Sequence, residues 1–185
     1  MSKEIEAVRQ WLNEVVIGLN LCPFAAWPEK HNQIRITLTR DTTEEALLET
    51  LQSELTLASE TPVSELETTL IVIPDMLQDF DDYNEFLHHV DALLRGFHWE
   101  GQFQVASFHP DYRFAGTHPE DDENLTNRSP FPLLHIIREE SLEKAIANYP
   151  DPDGIPDRNI ARMNELTAEE KVNLFPYLFG KAEKD

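Results

Sequence analysis

At 185 residues the chain has room for one sizeable core, and a 41% hydrophobic fraction with ten phenylalanines can close it without disulfides. A formal charge of −20 repels phosphate backbones, and no basic patch in the first hundred residues offsets it, so nucleic acid is excluded as a partner and the acidity reads as solvated helix faces. The single cysteine, Cys22, rules out an internal disulfide and an all-cysteine zinc site; with no secretory leader and no apolar stretch near the roughly 20 residues of a membrane span, a cytoplasmic protein without membrane contact is expected.

Val8, Trp11, Leu12, Val15, Val16 and Leu19 recur at helical spacing and predict an amphipathic helix over residues 3–19, stopped by residues 20–23. Ile34, Ile36 and Leu38 alternate with Arg35, Thr37 and Thr39, as in a strand with one wet face near a sheet edge. Thr42 and Glu45 have capping-box spacing ahead of a second helix reaching residue 59, with Leu47, Leu51, Leu55 and Ala58 on one side. The uninterrupted Leu70, Ile71, Val72 and Ile73, ended by Pro74, predict a central strand. Phe80, Tyr83, Phe86, Leu87, Val90 and Leu94 mark a third helix over 79–95, with Gly96 placed to end it. A strand over 103–108 leads into a long polar loop, 108–132, and then a second central strand over 133–137. Ser141 is placed to cap a helix carrying Leu142, Ala145, Ile146 and Tyr149; 151–157 is a proline-punctuated turn, helices near 157–166 and 167–178 follow, and 181–185 is expected to be a disordered tail. Strands alternating with helices predict a single α/β domain with a mixed, mostly parallel sheet of about four strands; an α+β sandwich is the alternative.

Loops as long as 108–132 inside a compact domain are usually functional, and this one is dense in histidine, arginine and acids. His109 follows a predicted strand, where α/β folds present functional groups, and Asp111 is spaced to orient it, which makes the pair candidates for acid/base chemistry. Five of the six basic residues from 113 to 162 are arginines, whose rigid fork suits carboxylate and phosphate. Asn127, Arg128 and Arg138, with Arg113 and Arg158, are therefore the expected ligand-binding set, and His109, Asn127, Arg128 and Arg138 are expected to line one pocket. Structural ion pairing with neighbouring acids is the competing explanation for the arginines. His109, Asp111 and His135, with His118 in reserve, could instead supply a two-histidine, one-carboxylate metal set. Cys22 reads as a shielded thiol at a helix end, packed by Leu21, Phe24 and Trp27, with a site role as the other reading.

Four stretches together identify a family: Gly18-Leu19-Asn20-Leu21-Cys22-Pro23-Phe24-Ala25, Ser107-Phe108-His109-Pro110, Thr126-Asn127-Arg128-Ser129-Pro130-Phe131-Pro132 with His135 and Arg138, and Ile155-Pro156-Asp157-Arg158-Asn159. On these the chain resembles the bacterial domain-of-unknown-function family 1415 over nearly its whole length. The resemblance implies a bacterial single-domain protein and brings no catalytic residue with it. The expected function is an enzyme acting on a small anionic molecule. A metal-dependent enzyme and a non-catalytic ligand- or partner-binding module are the alternatives. No P-loop, dinucleotide glycine pattern or nucleophile elbow is present, which disfavours nucleotide cofactors and serine hydrolysis and leaves a divalent metal as the cofactor to consider.

Overall fold

The computed structural model describes residues 2–180, so the expected tail at 181–185 lies outside the described residues. The elements are α1 (Lys3–Trp11), a π-helical turn (Leu12–Ile17), α2 (Ala26–Lys30), β1 (Ile34–Leu38), α3 (Glu44–Glu60), β2 (Thr68–Val72), α4 (Phe80–Gly96), β3 (Phe103–Phe108), a 3-10 turn (Asp122–Asn127), β4 (Leu133–Arg138), α5 (Glu139–Ala147), α6 (Ile155–Asn164), α7 (Ala168–Leu174) and α8 (Pro176–Phe179). Among the described residues no helix is long and apolar enough to cross a membrane.

The fold is α/β with a four-stranded mixed sheet in the order β1-β2-β4-β3. β1 pairs parallel with β2, whereas β4 runs antiparallel to both β2 and β3. Three strands therefore point one way, and β4 is inserted against them. The expected parallel character survives in the strand directions but in only one neighbouring pair. Side chains alternate across a strand, so Leu70, Val72 and Leu133 join the core under α1 and the C-terminal helices, while Ile71, Ile73, Leu134 and Ile136 join the core under α3 and α4.

Several local expectations shift by a residue or a turn. The first helix begins as expected, with Ser2 accepting from the Ile5 N–H, but loosens into the π turn after Trp11. Gly18 closes it, because a Cβ there would lie 2.3 Å from the Glu14 carbonyl oxygen, and Asn20 then takes a left-handed backbone, φ 56°. Thr43, not Thr42, caps α3 by accepting from Ala46 N–H. Gly96 is the last residue of α4, and His98 holds the left-handed position beyond it, φ 58°. α5 starts directly on β4 at Glu139, which places Ser141 inside the helix instead of at its cap. The helix α2 carries no periodic signal: it is five residues long and contains Pro28, admissible because it falls in the first turn, where an N–H has no intrahelical partner.

Candidate functional site

The loop between β3 and β4 is an ordered polar scaffold. Asn124, wholly buried, accepts from Phe114 N–H and from the Thr117 hydroxyl through Oδ1, and donates to the His118 carbonyl through Nδ2. Asn127 donates to the Ser107 carbonyl at 3.2 Å, and its own carbonyl accepts the His109 N–H. Ser129 donates to the Phe131 carbonyl, and the Tyr177 hydroxyl donates to the Arg128 carbonyl, tying the loop to α8. His118 is exposed and caps its own turn, with Nδ1 accepting from Glu120 N–H.

His109 belongs to this scaffold. Its ring is 0% exposed and packs against Phe80 and Tyr83. Nδ1 accepts the Asp111 backbone N–H at 2.9 Å, so Nε2 carries the hydrogen and donates to the Leu77 carbonyl at 2.9 Å. Both ring nitrogens are occupied, and burial lowers the pKa. The expected acid/base pair with Asp111 is not formed: the backbone of Asp111, not its carboxylate, holds the ring.

The expected pocket of His109, Asn127, Arg128 and Arg138 does not assemble either. β4 runs against β3, with Leu133 opposite Phe108 and Arg138 opposite Phe103. His109 and Arg138 therefore stand at opposite ends of the sheet, offset by six residues or roughly 20 Å of strand. Arg138 lies over the Phe103 ring and donates to the carbonyls of Ala58, Thr61 and Leu66, closing the C-terminal end of α3. Arg158 is exposed and paired with Asp151 at 2.6 Å. Arg128 spends Nε on the Tyr112 carbonyl and Nη2 on the Pro119 carbonyl. What the structure does bring together is Arg113, Arg128 and Asp111, in an open depression of about 320 Å³ at the N-terminus of α4. Asp79 and Asp81 line it too, so two guanidinium groups face three carboxylates. Among the described residues no group of three or more His, Cys, Asp or Glu side chains is placed to hold a metal ion, and His109, Asp111 and His135 do not come together as a ligand set.

A second and larger concavity lies on the α1 face of the sheet. It measures about 510 Å³, within the roughly 300–1,000 Å³ typical of small-molecule sites. The π turn, the loop carrying Cys22, the outward positions of β2, β3 and β4, and α5 form its walls, through Leu12, Val16, Phe24, Leu70, Ala106, Phe108 and Leu142 among others. π turns inside helices are frequent at functional sites. Trp27, 67% exposed and stacked on His31, also borders the cavity. Asn159 of α6 donates to the Leu21 carbonyl and so fixes the loop that presents Cys22.

Few polar side chains line this cavity. Trp11 is 3% exposed, is set edge-on against Phe108, and its Nε1–H is buried with no acceptor among the described residues. Leaving such a donor unpaired costs about 1–3 kcal/mol. His135, also in the lining, is held through one ring nitrogen. The Thr68 hydroxyl has one hydrogen and gives it to the Ile136 carbonyl, so the 2.7 Å contact between Thr68 Oγ1 and His135 Nε2 must be a hydrogen bond donated by the ring. This fixes the Nε2–H tautomer and leaves the Nδ1 lone pair unused by the described residues. Burial pushes the His135 pKa down to about 4, so the ring is neutral at physiological pH. Cys22 is half-buried and free. Burial raises its pKa, while the Phe24 and Ala25 N–H groups act in the opposite direction. Its thiol is thus protonated at neutral pH, and His135 is too weak a base to take the proton. Among the described residues Glu67 is the only acidic side chain in the lining, and no lysine or arginine joins it.

The sequence had singled out Cys22 and His135 separately; the fold makes them neighbours in one cavity. Trp11, Thr68 and Glu67 carried no sequence signal, because a tryptophan in a helical stripe and a threonine in a strand read as packing. A family model described as a protein of unknown function, DUF1415, matches residues 3–173. Neither the curated proteins nor the solved structures yielded a match.

Proposed function

Starting from the chain's membership of the DUF1415 family, whose description carries no activity, we propose that this protein binds a small, largely apolar molecule in the cavity between the π turn, the Cys22 loop and the sheet. One observation carries the reading: a largely apolar cavity of about 510 Å³, the size of a small-molecule site, opens between the π turn, the Cys22 loop and the sheet. Its lining is apolar apart from a few polar side chains, Cys22, Thr68 and His135 among them, the composition of a site that buries an apolar body and orients it through a small number of polar contacts. A thermal-shift screen of neutral aromatic and aliphatic compounds tests this, alongside Ala106→Leu, which fills the cavity from β3. Compounds that raise the midpoint of the parent protein and lose their effect on Ala106→Leu support the reading; no shift from any apolar compound sinks it.

A second reading keeps the expected anionic ligand and the enzymatic role, and locates them in the depression lined by Arg113 and Arg128. Its support is position: the depression lies at the edge where β1, β2 and β3 end and α4 begins, the edge at which α/β folds bind ligands. The three carboxylates in the same wall weigh against a simple anion clamp. Stabilisation by phosphate or small carboxylates that Arg113→Ala abolishes would favour it over the cavity.

A further inference from the structure

We propose that α5 is a gate over the cavity, loosely held in the free protein and drawn down onto an apolar occupant. This deepens the cavity reading and rests on it. Helices as short as the nine residues of α5 are marginal on their own, and what holds them in a protein is the packing of an apolar face. Of the five helices with nine residues or more, α1, α3, α4 and α6 each sink at least one side chain into a core, whereas α5 buries none. Its sequence supplies the face: Leu142, Ala145 and Ile146 stand at i, i+3 and i+4. Leu142 and Ala145 line the cavity, and Ile146 is exposed. The packing surface of α5 therefore meets open volume where the other four helices meet a core.

The facing walls are anchored. Leu12 and Val16 of the π turn and Leu70 of β2 are buried, and Asn159 holds the Leu21 carbonyl beside Cys22. α5 has less to fix it. No side chain caps its first turn, because Arg138 at that position sends its guanidinium to the carbonyls of Ala58, Thr61 and Leu66. At this end the Glu139 N–H donates to the Gln102 carbonyl, a backbone hinge beside the sheet. Past the other end Tyr149 sits edge-on to Phe24 of the opposite wall, with ring centroids 5.5 Å apart. A hinge at one end and an aromatic latch at the other let the helix swing outward to admit a molecule and settle once Leu142 and Ala145 have something to pack against.

Hydrogen exchange of the intact protein with and without saturating naphthalene reads the gate directly. Amides of 139–147 should slow about tenfold on binding, whereas those of α3, in the core on the other face of the sheet, should exchange as before. Glu143 gives an independent readout: it is exposed and outside the lining, so substitutions there change the helical propensity of α5 without touching the ligand. Glu143→Gly and Glu143→Ala remove the same charge, and the glycine variant should bind naphthalene about fivefold more weakly than the alanine variant in equilibrium dialysis, because the cost of ordering the helix enters the affinity. In a wall that is already rigid, propensity acts on the free and bound states alike and the two Kd values coincide. Equal Kd values, or exchange at 139–147 that naphthalene leaves unchanged while the π turn slows, overturns the gate and leaves the cavity reading standing. No binding of naphthalene to the parent protein overturns both.

Discussion

The segment between β3 and β4 and the cavity under α1 make opposite use of polar groups. The segment is dense in histidine, arginine, asparagine and serine, and the side chains that hold it end mostly on backbone groups of the segment or its immediate neighbours, His109 on Leu77 and Asp111, Asn124 on Phe114 and His118, Arg128 on Tyr112 and Pro119, while the Thr126 hydroxyl is buried there without a partner among the described residues. The cavity is lined mainly by apolar side chains with few polar ones, and the Trp11 indole N–H beside it is buried without an acceptor among the described residues. Polar density therefore marks where a long loop needed internal hydrogen bonds in order to fold. Empty volume behind an apolar wall marks where a small molecule fits.

This contrast assigns different consequences to substitutions in the two regions. The largest effect is expected at Asn124. Asn124→Ala removes the contacts to Phe114 N–H, the Thr117 hydroxyl and the His118 carbonyl at a site with no solvent to replace them and strands Phe114 N–H, so it should cost about 3 kcal/mol in urea unfolding. A cost below about 0.5 kcal/mol would mean the segment is not held by its polar groups and would return it to consideration as a binding site.

Acid should act mainly on the cavity side. His135 has a folded pKa of about 4 against an unfolded value near 6.5, so the folded state holds fewer protons across that interval. Its contribution is complete above about pH 6.5 and is lost as the pH falls toward 4, amounting to roughly 2–3 kcal/mol. His109 shifts in the same direction through burial, so the readout is the difference between parent and His135→Leu. The variant should lose less stability between pH 7 and 4.5. Parallel curves would place a protonated His135 at ease in the fold and remove the argument for a neutral cavity.

A smaller effect separates the two arginines of the open depression. Arg128→Lys keeps the charge but cannot span the Tyr112 and Pro119 carbonyls, and should cost about 1 kcal/mol, a few degrees in Tm. Arg113→Ala, exposed and in no ion pair among the described residues, should stay within about 0.5 kcal/mol. Equal costs would show that Arg128 acts only through its charge.

The legible part of the fold was the part governed by periodicity. The apolar runs at 70–73 and 133–137 identified both central strands, and the stripe from Phe80 to Leu94 identified α4. Direction is not periodic: nothing in residues 133–138 reveals that β4 runs against its neighbours, and that one fact carries Arg138 away from His109. Capacity is not periodic either. Trp11 looks like any core aromatic until its N–H is seen to have no acceptor, and His135 becomes a free acceptor only because Thr68 has already given its hydrogen away. Two of the stretches that carry the family resemblance do have local readings: Gly18 sits where a Cβ would strike the π turn, and Asn159 holds the loop that presents Cys22.

The smallest expected effect discriminates best, because here the two faces of the sheet predict different outcomes for the same kind of change. Tyr83→Phe, on the α4 side, deletes a hydroxyl that donates to the Leu133 carbonyl and accepts from Phe108 N–H. It leaves two backbone groups stranded and should cost about 2 kcal/mol. Trp11→Phe, on the cavity side, deletes a donor that has no acceptor. The loss of apolar contact from the smaller ring is then offset by relief of the unpaired N–H, each about 1–3 kcal/mol, and the net change should stay within about 1 kcal/mol of zero. Urea unfolding of both variants without added ligand makes the comparison. If Trp11→Phe costs as much as Tyr83→Phe, the indole N–H is already satisfied in the free protein, and the two faces of the sheet do not differ in how they treat a buried polar group.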